Sequence, residues 1–210
     1  MLFRSGDAPS TLNATATSGL PVSFATVQQG WNIQFGCTAT GSCFTNNGGS
    51  SPLQTGAGVV GRAGDVWNRV TGVSNVGQTG TNIALTDVSG NSSPVTVSWT
   101  SAGFYYTGST PSAFSSTPYA NVMSGYLISD ATPRTVTISN LTPNASYQLY
   151  VLSQGDASTA GRRGTFSVNG GTSVTTAAAT NTGTFISGQN YVLFNSAADG
   201  TGTLTLTYVR

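Results

Sequence analysis

At 210 residues and 38% apolar content the chain has the length and apolar material for one large β-sandwich or two small domains. Charged residues make up only 6%, against roughly 25% in typical soluble domains, and they are seven Arg and six Asp with no Lys, Glu or His. This composition excludes a Ser-His-Asp triad, a His-based metal site, a Schiff-base lysine, a P-loop and a Lys-Asn isopeptide crosslink. A net charge of +1, with only Arg162 and Arg163 adjacent, makes no basic stripe for nucleic acid.

In chain order, the first feature is an alternating stretch in which Leu12, Ala14 and Ala16 are interleaved with Thr11, Asn13, Thr15 and Thr17. The same parity continues through Leu20, Val22 and Phe24. Residues 1–19 are read as an N-terminal strand-like arm and residues 20–210 as one sandwich domain. The arm is either the first strand of its own sheet or a strand added to a neighbouring subunit's open edge. The opening Met1, Leu2, Phe3 and Arg4 are too few and too soon polar for a signal peptide, so an export signal is expected to have been removed or to precede this numbering.

Trp31, Ile33 and Phe35 alternate as a strand does, and a glycine-rich stretch without period follows over residues 36–64. It reads as a surface loop. Within it Cys37 and Cys43 have a spacing suited to a short disulfide, worth roughly 2 to 2.5 kcal/mol by loop entropy. Two buried free thiols are the alternative. A disulfide implies an oxidising compartment.

Further strands are expected at residues 66–70, 83–85 and 95–99, and a polar connection at 111–118. Residues 119–127 form the one helical turn the pattern allows, with Pro118 to start it and Gly125 to stop it. The second half adds strands at 135–138, 147–151, 165–168, 191–194 and 204–208, rich in β-branched and aromatic residues. Leu141, Pro143 and Tyr147 have the spacing of a tyrosine corner, in which the phenol bonds back to the upstream turn where the chain crosses between sheets. The fold expected is all-β, a single sandwich of jelly-roll type. No run of about 18 apolar residues exists, so no membrane-spanning helix is expected.

Five segments also carry a resemblance. Gly64 to Asn68, residues 136–150, Phe166 to Gly170, Gly188 to Phe194 and Gly202 to Leu206 resemble exported bacterial β-sandwich proteins that often carry a C-terminal PEP-CTERM sorting tail. The resemblance spans roughly residues 56–208 and implies secretion and surface placement, with no catalytic residues to transfer. No Pro-Glu-Pro motif, membrane helix or basic tail occurs by Arg210, so anchoring by that route is not expected.

Among candidate sites, carbohydrate binding needs aromatic faces edged by polar groups. Trp99, Phe104, Tyr105 and Tyr106 bunch where a strand ends, with Asp130 and Arg134 as polar partners. The structural alternative places Trp99 and one tyrosine in the core, and Trp67 reads as a core anchor. The Asp residues sit mainly beside Gly or Ser and read as turn caps rather than as a glycosidase pair or a calcium site. Sequons stand at Asn13, Asn91, Asn140 and Asn144. No metal or cofactor is expected. The function expected is a non-catalytic extracellular subunit of a self-assembling layer, sheath or filament, its main partner being further copies of itself. A carbohydrate-binding module, with polysaccharide as partner, and a virion surface protein are the alternatives.

Overall fold

The computed structural model describes residues 2–5, 29–36, 51–72, 76–106, 117, 123, 125–153, 163–177 and 183–210. Those residues are all-β and contain no helix. The strands are β1 (Leu2–Ser5), β2 (Gly30–Gly36), β3 (Ser51–Thr55), β4 (Val66–Thr71), β5 (Gln78–Thr86), β6 (Ser92–Ser101) and β7 (Phe104–Tyr106). They continue with β8 (Gly125–Leu127), β9 (Arg134–Ser139), β10 (Ser146–Leu152), β11 (Thr165–Val168), β12 (Val174–Thr175), β13 (Tyr191–Ala197) and β14 (Leu204–Val209).

One six-stranded sheet has the order β13-β10-β1-β2-β4-β3, the other β12-β11-β14-β9-β6-β5, and β7 pairs with β8 separately. The second sheet is antiparallel throughout. In the first, β2 and β4 run parallel, with Asn32 opposite Trp67 and Gly36 opposite Thr71. β1 lies within the stretch read as an arm, and its backbone pairs with β10 on one side and β2 on the other.

Period-two alternation builds the core. Val95, Val97 and Trp99 of β6, Val136 and Ile138 of β9, and Leu204, Leu206 and Tyr208 of β14 turn to one face of the second sheet. Trp31, Ile33 and Phe35 of β2, Leu149 and Val151 of β10, and Val192 of β13 join the same cluster from the first sheet. Each such aliphatic side chain contributes about 1.5–3 kcal/mol on full burial.

Polar groups tie the two sheets at defined points. The Asn68 amide on β4 donates to the Thr86 carbonyl on β5 at 2.7 Å and accepts the Thr86 N–H at 2.7 Å. The Trp31 indole N–H donates to the Ser93 hydroxyl at 2.9 Å. Between β9 and β10, where the chain passes from one sheet to the other, the Thr142 N–H donates to the Tyr147 phenol at 3.0 Å. That bond is the tyrosine corner the Leu-x-Pro-x-x-x-Tyr spacing predicts.

Two local expectations are corrected. The stretch 36–64 is not loop throughout, because residues 51–55 form β3 against β4. The proposed helical turn over 119–127 ends in strand β8, which takes its partner from the distant Phe104–Tyr106 rather than from a helical neighbour. Trp67 is fully buried as expected, but its place is off the main core cluster, with its indole N–H on the Gly56 carbonyl at 2.9 Å.

Candidate functional site

The expected glycan-binding group does not assemble at the surface. Trp99 and Phe104 are 6% and 0% exposed and pack with Phe35 at ring-centroid separations of 6.0, 6.1 and 6.4 Å. Trp99 shares the inward parity of Val95 and Val97, and its indole N–H has no partner, so packing holds the ring. The buried Ser101 hydroxyl donates to the Gly103 carbonyl and accepts the Gly103 N–H, which turns the chain and returns Phe104 to the core. Tyr105 is half-buried against the Tyr126 ring at 5.4 Å. Tyr106 pairs through its backbone with Gly125, and its side chain lies outside the described residues.

Asp130 and Arg134 meet each other rather than an aromatic platform. The guanidinium donates to the Asp130 carboxylate at 2.9 Å, and the Thr132 N–H donates to the other oxygen at 3.0 Å. The hydrogen bond from Arg134, and then that from Thr132, hold the Asp130 carboxyl below the usual range, and Asp130 in turn raises Arg134. Asp199 is likewise lowered, first by the Thr201 hydroxyl and then by the Thr203 and Thr201 N–H groups. Asp87 accepts the Ser89 and Asn91 N–H groups at 2.9 Å each, and Asp65 accepts that of Arg62 at 3.1 Å. These carboxylates cap turns. Among the described residues no group of three or more His, Cys, Asp or Glu could hold a metal ion.

Asn91, Asn140 and Asn144 are exposed. The Asn91 amide donates to the Asp87 carboxylate at 3.1 Å and the Asn140 amide to the Pro94 carbonyl at 3.0 Å. Asn140 and Asn144 hold φ values of 63° and 59°, the left-handed turn conformation that Asn tolerates. Asn13, the arm residues Leu12, Ala14 and Ala16, and Cys37 and Cys43 lie outside the described residues. No helix among the described residues is long and apolar enough to cross a membrane.

A different set of side chains does come together, on the outward face of β10 and β13. Gln148 donates to the Asn195 amide oxygen at 3.2 Å and accepts from the Tyr150 phenol at 3.3 Å. The Tyr191 ring lies 6.3 Å from that of Tyr150 and 6.5 Å from that of Phe185. Beside them is a shallow cavity of about 220 Å³, lined in part by Ser146, Gln148 and Asn195. The set offers amide and phenol hydrogen-bonding groups beside aromatic ring faces, an arrangement suited to binding and stacking. It becomes visible only once Tyr150 is seen opposite Leu193 and Gln148 opposite Asn195. Comparison of the chain with family models, with curated proteins and with solved structures returns no match.

Proposed function

We propose that the chain is a non-catalytic extracellular structural protein, a subunit of a self-assembling surface layer, sheath or filament. The observation that carries this reading is how its few charges are spent. Asp65, Asp87, Asp130 and Asp199 are all engaged by backbone N–H groups of their own turns. The chain is otherwise rich in Ser, Thr, Asn and Gly and only 6% charged, which leaves almost no like-charge repulsion between copies. Two sheets sharing one core support a sandwich, although the parallel β2–β4 pair departs from an all-antiparallel jelly roll. The extracellular setting rests on composition and on the Cys37–Cys43 pairing, which alkylation without reductant tests: unlabelled thiols support it and labelled thiols remove it. Negative-stain images of native material are the test of function. Ordered polymers support the reading, and isolated particles oppose it.

The second reading is a carbohydrate-binding module, favoured by the Tyr150, Tyr191, Gln148 and Asn195 set. Glycan-array binding that weakens by about 2 kcal/mol in Tyr191→Ala supports it. No binding above background sets it aside.

A further inference from the structure

Four strands end the two sheets, and three of them carry devices that discourage pairing with another chain. β5 has register shifts at Gly80/Ile83 and Ala84/Thr86, with Asn82 between at φ 53°. β3 has a register shift between Ser51 and Gln54, across Pro52, and β12 is only two residues long. β13 has none of these. It pairs residue for residue with β10 from Tyr191 to Ala197 without a shift, and it contains no charge and no proline.

The parity of its backbone groups follows from the bonds that bracket it. Ser153 N–H donates to the Asn190 carbonyl at 2.8 Å, and Ala198 N–H to the Ala145 carbonyl at 2.9 Å. In an antiparallel ladder alternate residues bond to one neighbour, so Val192, Phe194 and Ser196 face β10 while Tyr191, Leu193, Asn195 and Ala197 face away. Two of the outward carbonyls are used locally: that of Tyr191 accepts the Gly188 N–H at 2.8 Å, and that of Ala197 accepts the Asn169 amide at 3.1 Å. Among the described residues, the N–H and C=O groups of Leu193 and Asn195 meet no partner, and the Leu193 side chain is 37% exposed.

We infer that β13 is the seam at which a second copy of this chain adds, strand to strand and antiparallel, through its own β13. This rests on the self-assembly reading and names its contact. The strand is uncharged, so two copies meet without repulsion. A two-fold axis beside Phe194 sets Leu193 against the second copy's Asn195 and Asn195 against its Leu193, because the outer edge of Tyr191 is already bridged to Ser187 of its own chain. Each copy then satisfies the other's open groups and covers an exposed apolar side chain. The product is a dimer with one continuous sheet, the repeating unit to which a second contact adds in a layer or filament.

The test is amide hydrogen exchange resolved by residue, on the full chain, across a concentration series. On association the Leu193 and Asn195 amides should slow at least tenfold while those of Val192 and Phe194, already bonded to β10, stay unchanged. In parallel, Leu193→Pro removes one outward N–H and Leu193→Lys places a charge at the seam; each should melt like the parent and remain monomeric. If the parent associates and both variants associate equally, the seam is wrong while self-assembly stands. If deleting residues 11–17 abolishes association and Leu193→Pro does not, the contact belongs to the arm and this inference is overturned. A parent that stays monomeric at every concentration removes the assembly reading itself.

Discussion

Asn68, on a strand of the first sheet, holds both backbone groups of Thr86, on an edge strand of the second, and also donates to the Asn32 carbonyl at 3.1 Å. One amide thus stands in for a missing strand where the two sheets meet. Asn68→Ala should cost about 3 kcal/mol in urea unfolding, since it leaves several shielded backbone groups unpaired. Asn68→Asp should be no better, because a carboxylate cannot donate to either carbonyl. A loss below about 0.5 kcal/mol for both would show that water replaces the amide freely.

The tyrosine corner makes a smaller, more local prediction. Tyr147→Phe removes only the phenol that accepts the Thr142 N–H, so the cost should be about 1–2 kcal/mol with the fold retained. Equal stability of parent and variant would show that the corner is not fixed by this bond.

Nine of the strands were legible from alternation and β-branched or aromatic content, down to the four residues of β11. β1, β3, β7, β8 and β12 were not: each runs to five residues or fewer without an alternating apolar face, and Gly125 to Leu127 takes its partner from the distant Phe104 to Tyr106. The tyrosine corner was legible because its geometry is local. Trp99 and Phe104 are close in sequence to Tyr105 and Tyr106 yet belong to the core, because Trp99 keeps its strand's inward parity and Phe104 is turned back by Ser101. The face of Gln148, Tyr150, Tyr191 and Asn195 depends on a strand register that no single segment encodes.

Close approach gives the third prediction. A Cβ at Gly80 would overlap the buried Trp99 ring across the β5–β6 pair. Gly80→Ala should therefore destabilise by roughly 1–3 kcal/mol and shift tryptophan fluorescence, as overpacking does. An unshifted spectrum with unchanged stability would mean the ring has room to move.

Stability against pH should be a plateau with two shoulders. Asp130 and Asp199 are depressed in the folded chain, so their contribution is present above the unfolded value of about 3.9 and is lost as pH falls through the folded one. Burial pushes Tyr208 up to about 12. Its contribution is whole below the unfolded value of about 10 and is lost as pH rises through the folded one. With no His, Lys or Glu, thermal melting should be flat between about pH 5 and 7. A transition inside that window would contradict the assignment.

Because β1 pairs with β10 and β2, deleting residues 1–18 removes a strand from inside the first sheet. The truncated chain should unfold or aggregate. A soluble monomer melting near the parent's temperature would place β1 outside the folding unit.

Sedimentation velocity of the purified full chain over a rising concentration series tests self-assembly most directly. A concentration-dependent shift from single chain to dimer and then to larger ordered species is expected, little affected by salt because so few charges are involved. A single sharp boundary at the mass of one chain, unchanged across the series, would contradict it.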